Sequence, residues 1–339
     1  MKDRQQAHEG VEPIMSVKES AVIQPDHPDH RAQWMKRSQA NMRTRRIRQN
    51  IPWMIMFLPV VLYFLIFKYA PMAGYVIAFK NYNFTDGVFG SPWVGMNNYR
   101  LLFSDPSSVS TIRNTLLLSV LTIIVGFPFP VILAIMFNEV RRMWFKKTVQ
   151  TLMYLPHFLS WVVVGGLVVT IFSQETGIVN HWLEKLTGST YGFMYNEFSW
   201  IALFLGSGIW KGAGFGAIIY LAALSSIDPS LYESAAMDGA GKFRQIWHIT
   251  LPGIRSTIVL MLILNMGHVM EVGFDQIYVL QNPTVSHVSE VISTYVFRVG
   301  LQGMQFGLTT AMGLFESLVG LTLVVLANSV ARKFGQNLW

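Results

Sequence analysis

Four polar side chains, Asn265, His268, Glu271 and Asp275, recur every three or four residues in an otherwise apolar stretch. On one helix they fall within about 120° of one another. Imidazole and carboxylate together could move a proton or hydrogen-bond a polyhydroxylated ligand. Proton catalysis requires a positioned acid–base pair at a reacting bond, and the pattern offers no such dyad. Polar groups inside a bilayer face water or a neighbouring helix. The face reads as the lining of a water-filled cavity or, alternatively, as hydrogen bonding at a subunit interface. Trp210 and Lys211 form a second candidate. An indole can stack on a pyranose, and an ammonium can bind a hydroxyl or a carboxylate, so this pair reads as a sugar contact that favours an acidic sugar. A Lys211 ion pair with Glu271 or Glu316 is the structural alternative.

Other chemistries lack their motifs. Gly241-Lys242 is followed by Phe243 and lacks the motif's upstream glycine, Ala236 standing at that spacing, so it is no phosphate loop. There is no HExxH zinc helix and no GxSxG elbow. The run GAGFG at 212–216 lies in apolar sequence rather than after a strand, and HPDH at 27–30 sits in a polar tail, a poor metal site. With no cysteine, there is neither a disulfide framework nor a thiolate site.

The elements that must position these residues follow from composition. The chain has 339 residues, 52% hydrophobic and 13% charged, about half the charge of an ordinary soluble domain. Mean hydropathy is +0.38, which places the chain in the membrane class. Six transmembrane helices are expected near 52–75, 114–138, 151–172, 200–224, 256–279 and 307–330. The first apolar run continues to Phe79 past Lys68, Pro71 and Gly74, as one tilted or broken helix. Pro128 and Pro130 should kink the second span. Gly212 with Gly216, and Gly303 with Gly307, make faces for close helix packing.

Residues 1–50 read as a disordered basic tail without an apolar signal-peptide core. If the N-terminus is inside, 19 Lys and Arg fall in inner segments and five in outer loops. Both termini are then cytoplasmic, as is the loop over 225–255. Nothing in the basic cluster calls for nucleic acid. The outer loops, near 80–112, 173–199 and 280–306, are rich in aromatics, Gly and Pro. They serve as an interfacial belt or dock a partner.

That inner loop reads IDPSLYESAAMDGAGKFRQIWHITLP from Ile227. Asp228-Pro229 is a helix start, an N-cap acid followed by proline at the first position. Tyr232, Ala235 and Ala236 share a face, and Gly239 and Gly241 permit a bend. Phe243, Ile246, Trp247 and Ile249 follow at helical spacing. Pro252 should begin the next helix. By itself this is an amphipathic surface segment, with or without a partner.

The segment resembles the cytoplasmic signature of ABC importer permeases: EAA, three residues, Gly, nine residues, Ile, one residue, Leu-Pro. Here these are Glu233-Ser234-Ala235, Gly239, Ile249 and Leu251-Pro252, with Ser234 the one departure. NTLLLSV at 114–120, WKGAGFGAIIYLAAL at 210–224, VGFDQIYVLQNP, SEVISTYVFRVGL and the terminal NLW are similar to the branch that imports complex oligosaccharides, including alginate and pectin fragments.

The resemblance implies an all-α, six-span permease of the type I importer fold. It would comprise the tail 1–50, a first helix and outer loop over 51–112, a permease core over 113–331, and a C-terminal tail 332–339. The helix 228–238 would be a coupling helix in a cleft of an ATPase subunit. Glu233 would make the charged contact, with Asp238 beside it; Ala235 and Ala236 would allow close approach and Gly239 would set the bend. Implied partners are a second, different permease chain, two ATP-binding subunits that hold ATP and Mg, and an extracytoplasmic solute-binding protein that meets the loop 280–300. The chain itself would carry no cofactor and no catalytic site, in the inner membrane and in contact with lipid. A non-transporting scaffold that recruits an ATPase is the alternative. An intramembrane enzyme is a third reading, without a dyad to support it.

Overall fold

Asp105-Pro106 repeats the helix-start pair seen at Asp228-Pro229, and it opens the longest helix. The Asp105 side chain accepts from the amides of Ser107 and Ser108, which satisfies two of the donors that a helix start leaves free. Ser108 Oγ donates to Asp105 Oδ2 (2.8 Å) and lies 2.7 Å from the Tyr295 hydroxyl. These bonds, that of the Ser108 hydroxyl foremost, hold the Asp105 carboxyl below the usual carboxylate range. Asp105→Ala is expected to cost about 1 kcal/mol, as N-cap losses do. A depressed folded pKa stabilises above the unfolded value of ~3.9, and that share is lost as pH falls through the folded value. Thermal unfolding of the purified chain at pH 7 and pH 3 should show the variant's deficit shrinking at the lower pH.

In this computed structural model, residues 50–333 are described; the basic tail, HPDH and the terminal NLW lie outside them. The chain forms two compact units, one ending at Met72 and the second beginning at Ala73. The first unit contributes apolar helix from Asn50. The helical run reaches Phe79, and none of its most apolar window is buried by the chain itself. It passes a π-helical turn at Leu65–Tyr69 and ends in 3-10 geometry over Ala73–Phe79.

Among the described residues of the second unit every regular element is helical, joined by turns and irregular segments, with one isolated bridge between Lys80 and Trp93. The second span, Pro106–Glu139, starts eight residues before the expected position. Its prolines do not break it: a π-helical segment, Thr122–Gly126, precedes Pro128, where i→i+5 bonding accommodates the missing donor. The fourth span is Glu197–Leu224 and the sixth is Phe306–Lys333.

Two spans differ from expectation. The third is a bent pair, Met143–Phe158 and Trp161–Phe172, turned by 102°. Pro156 lies in a 3-10 turn there, and Ser160 caps the second half by accepting the Val163 amide. The fifth is Lys242–Gly253 and Arg255–Gly267, turned by 60°. Pro252 therefore lies near the end of a helix rather than at the start of one. The chain is not helical over 268–273 and resumes at Phe274–Leu280.

The fourth span is the hub. With the second it buries Val131, Ala134, Phe137, Ala217, Tyr220 and Leu224. Trp200 and Phe204 pack with Ile277 and Leu280 at its other end. Trp200 Nε1 donates to the Leu280 carbonyl (2.9 Å), and Gln276 Nε2 donates to that of Phe204 (2.7 Å). Of the expected glycine contacts, Gly216 faces Pro130 and Gly307 faces the Lys80 carbonyl and Asn98. A Cβ on Gly212 would meet nothing within 4 Å, and one on Gly303 would meet its own Val299 carbonyl, so those two do not pack helices together.

Candidate functional site: a polar cavity and a surface lever

The break at 268–273 replaces the single polar face expected of the fifth span. Asn265 Nδ2 donates to the Met261 carbonyl one turn earlier (2.7 Å). His268 Nδ1 and Glu271 Oε2 lie 2.9 Å apart, and both side chains are largely exposed. Ser293 Oγ donates to the Val272 carbonyl (3.2 Å), which a continuous helix would have paired internally.

A cavity of about 480 Å³ opens at this break. Asn265, His268, Glu271 and Gln276 supply polar groups, with Ser119 and Thr122 across from them on the second span. Trp161, the first residue after the third-span bend, is the one indole in the lining. Asp275 is outside it, exposed on the first turn of Phe274–Leu280. Trp161 and Gln276 carried no signal in the sequence: one stands in an apolar run, the other beside Asp275. The lining contains neither Lys nor Arg. A ligand here would meet hydrogen-bonding groups and an indole, as polyhydroxylated molecules require.

Trp210 and Lys211 do not face that cavity. Trp210 lines a separate, mostly apolar cavity with Phe172, Phe193 and Leu203. Lys211 Nζ donates to the carbonyls of His157 and Leu159, both at 2.7 Å. It also stands 5.5 Å from the centroid of the Trp161 ring. The alternative ion pair, to Glu271 or to Glu316, does not form; the ammonium satisfies backbone freed by the bend, which no sequence pattern foretold.

The signature loop forms a second candidate site. The helix is Pro229–Met237, with Asp228 accepting the Ser230 amide. That bond holds the Asp228 carboxyl below its usual range. At the other end Ala240 N donates to Ala235 O (2.8 Å) and Gly239 N to Ala236 O (3.1 Å). These are the paired bonds of a Schellman cap, which requires a left-handed residue at the glycine. Gly239 has φ +73°. Glu233, Ser234, Ala236 and Asp238 are exposed, and Ala235 is half-buried.

Three contacts tie the helix and the loop after it together and to the second span. The Tyr232 and Thr250 hydroxyls lie 3.1 Å apart, Gln245 Nε2 donates to Ala240 O (3.0 Å), and Lys242 pairs with Glu139 at 2.7 Å. Ile249 is half-buried, Leu251 packs against the core shared by the second and fourth spans, and Pro252 is exposed. Leu231, Met237, Phe243 and Trp247 remain exposed.

Residues 126–338 match the family described as binding-protein-dependent transport system inner membrane component. The chain belongs to that family. It is a multi-pass inner-membrane permease of a binding-protein-dependent ABC importer, a transport subunit rather than an enzyme, in a family without a cofactor. The permease is 47% identical over 282 residues to the polygalacturonan/rhamnogalacturonan transport system permease protein YteP of Bacillus subtilis (strain 168), which covers 83% of this chain and 88% of the relative. A crystal structure of a bacterial ABC transporter involved in the import of the acidic polysaccharide alginate matches the permease with TM-score 0.80 and 42% identity, over 85% of this chain and 98% of the other. A second, of a bacterial alginate ABC transporter with an alginate pentasaccharide-bound periplasmic protein, matches with the same score and identity over 86% and 98%.

Proposed function

We propose that this permease forms part of an importer of acidic oligosaccharides, uronate-containing fragments of the pectin or alginate type. Identity above 40% to chains described as serving polygalacturonan and alginate transport carries the substrate class. The cavity supports it in part: Trp161 offers a stacking face, and Asn265, His268 and Gln276 offer hydrogen bonds to hydroxyls. His268, paired with Glu271, is the one lining side chain that can become cationic. Much of the recognition of sugar carboxylates therefore falls to the solute-binding protein and to the second permease chain, a different sequence in this reading.

The helix Pro229–Met237 is the coupling helix in this proposal. Leu231, Met237, Phe243 and Trp247 form an exposed apolar surface beside the charged Glu233 and Asp238, and an ATPase subunit covers it. The tie from Lys242 to Glu139 and the packing of Leu251 carry its displacement into the second and fourth spans. In this proposal the coupling loop and both termini are cytoplasmic, a reading supported by the Lys and Arg asymmetry of the sequence.

The test is uptake by the complete transporter in proteoliposomes, with tetragalacturonate as the acidic probe and its carboxyl-reduced, neutral counterpart beside it. Preferential uptake and ATPase stimulation by the acidic probe are expected. Equal or greater response to the neutral one would overturn the substrate class. Removing both cavity side chains, His268→Ala with Glu271→Ala, should lower uptake roughly tenfold, the loss of one or two hydrogen bonds to a sugar. Assembly and basal ATP hydrolysis should stay unchanged. A non-transporting scaffold would show no uptake to lose.

A further inference from the structure

One face of the fourth span cradles the third-span bend. Lys211, Gly214 and Phe215 stand at i, i+3 and i+4, so they share that face. Gly214 leaves room for the Met153 carbonyl just before the bend. Phe215 stacks on the His157 ring, with centroids 3.9 Å apart and planes 2° apart. Lys211 reaches past both to two carbonyls within the turn, His157 O and Leu159 O. In a continuous helix those carbonyls would receive the amides of Trp161 and Val163. The Val163 amide instead goes to Ser160 Oγ.

A lysine halfway along a membrane span is costly unless its charge is solvated. Here backbone carbonyls solvate it. They lie at the C-terminal end of the helix Met143–Phe158, where the helix dipole favours a cation. The two needs are complementary: the broken backbone requires donors, and the ammonium supplies up to three.

We infer that Lys211 is a positioning residue: it holds the third span broken and thereby presents Trp161 to the cavity. Trp161 is the first residue after the break, its ring lines the cavity, and Lys211 Nζ is 5.5 Å from its centroid. Lys211 thus acts on a substrate through the backbone and the indole, without touching the sugar. The transport arm of the test below rests on the function proposed above; the distance arm does not.

The chain has no cysteine, so spin labels can be placed at will. Trp144→Cys and Val169→Cys lie at exposed positions on either side of the bend. A straight helix would separate residues 25 apart by roughly 38 Å, and the 102° bend holds them well inside that. In the assembled transporter, with its other subunits made cysteine-free, Lys211→Met should broaden the label distance and shift it upward. Lys211→Arg, which keeps the charge and donors, should restore it. Lys211→Gln, with one amide, should lie between and serves if the methionine variant fails to assemble. An unchanged distance in Lys211→Met or Lys211→Gln overturns the inference.

In tetragalacturonate uptake, Lys211→Met and Trp161→Ala should each lose roughly ten- to hundredfold. The double variant should be no worse than the worse single one, because both act through one group. Losses that multiply, or lost uptake at an unchanged label distance, would make Lys211 a direct sugar contact and refute the positioning role. Failure of the unmodified transporter to take up this probe would count against the substrate class, and the label distance would still decide the role of Lys211.

Discussion

Gly239→Pro is expected to reduce uptake by about a hundredfold in a transporter that still inserts and assembles. Gly239 has φ +73° and donates to Ala236 O. Proline fixes φ near −65° and has no amide hydrogen. The Schellman cap cannot then form, and the cost of about 3 kcal/mol leaves the native cap populated at about one part in a hundred. A Cβ there meets nothing within 4 Å, so the harm is conformational, confined to the bend after Pro229–Met237. ATP hydrolysis and uptake should be measured in the same vesicles. Hydrolysis that continues while uptake stops is the uncoupling expected of a coupling helix, and Glu233→Lys, at an exposed position, should produce a milder form. Normal uptake in Gly239→Pro would refute this role for the loop.

Gly214→Val should have the larger effect on folding itself. A Cβ at 214 would overlap the Met153 carbonyl, and a backbone atom cannot rotate away as a side-chain tip can. Overpacking of this kind costs typically 1–3 kcal/mol and occasionally more, and here valine adds two further methyl groups. The expected result is a sharp drop in the yield of monodisperse chain and a lowered thermal midpoint in detergent. Gly212→Val is the matched control: it is two residues away, with no atom within 4 Å of an added Cβ. It should fold normally. Equal stability of the two variants would show that contact between the third and fourth spans does not depend on Gly214.

Periodicity and composition are local properties, and what they decide is local. The apolar runs located four continuous spans and two bent helix pairs, to within a turn or so at many of their ends, because about 20 apolar residues can do little else in a bilayer. Asp228-Pro229 and Gly239 marked the short helix correctly, because an N-cap, a fixed φ and a left-handed glycine act on their immediate neighbours. The spacing from Glu233 to Pro252 identified the family for the same reason, as a pattern within twenty residues.

The two breaks lay beyond that reach. Helical spacing of Asn265, His268, Glu271 and Asp275 suggested one polar face, yet the chain leaves the helix after Gly267, and Asp275 turns away from the cavity. Nothing within ten residues reveals this, because the compensating hydrogen bond to Val272 comes from Ser293.

The sequence by itself determined a helical membrane permease, a capped and glycine-bent surface helix, and no phosphate loop of its own. Only the tertiary structure decided where its polar groups point. Lys211 could have met a sugar or a carboxylate; it meets the backbone of residues 52 and 54 positions earlier. A half-buried charge within a span takes whichever partner the fold brings within about 3 Å, and that distance depends on how the third and fourth spans pack.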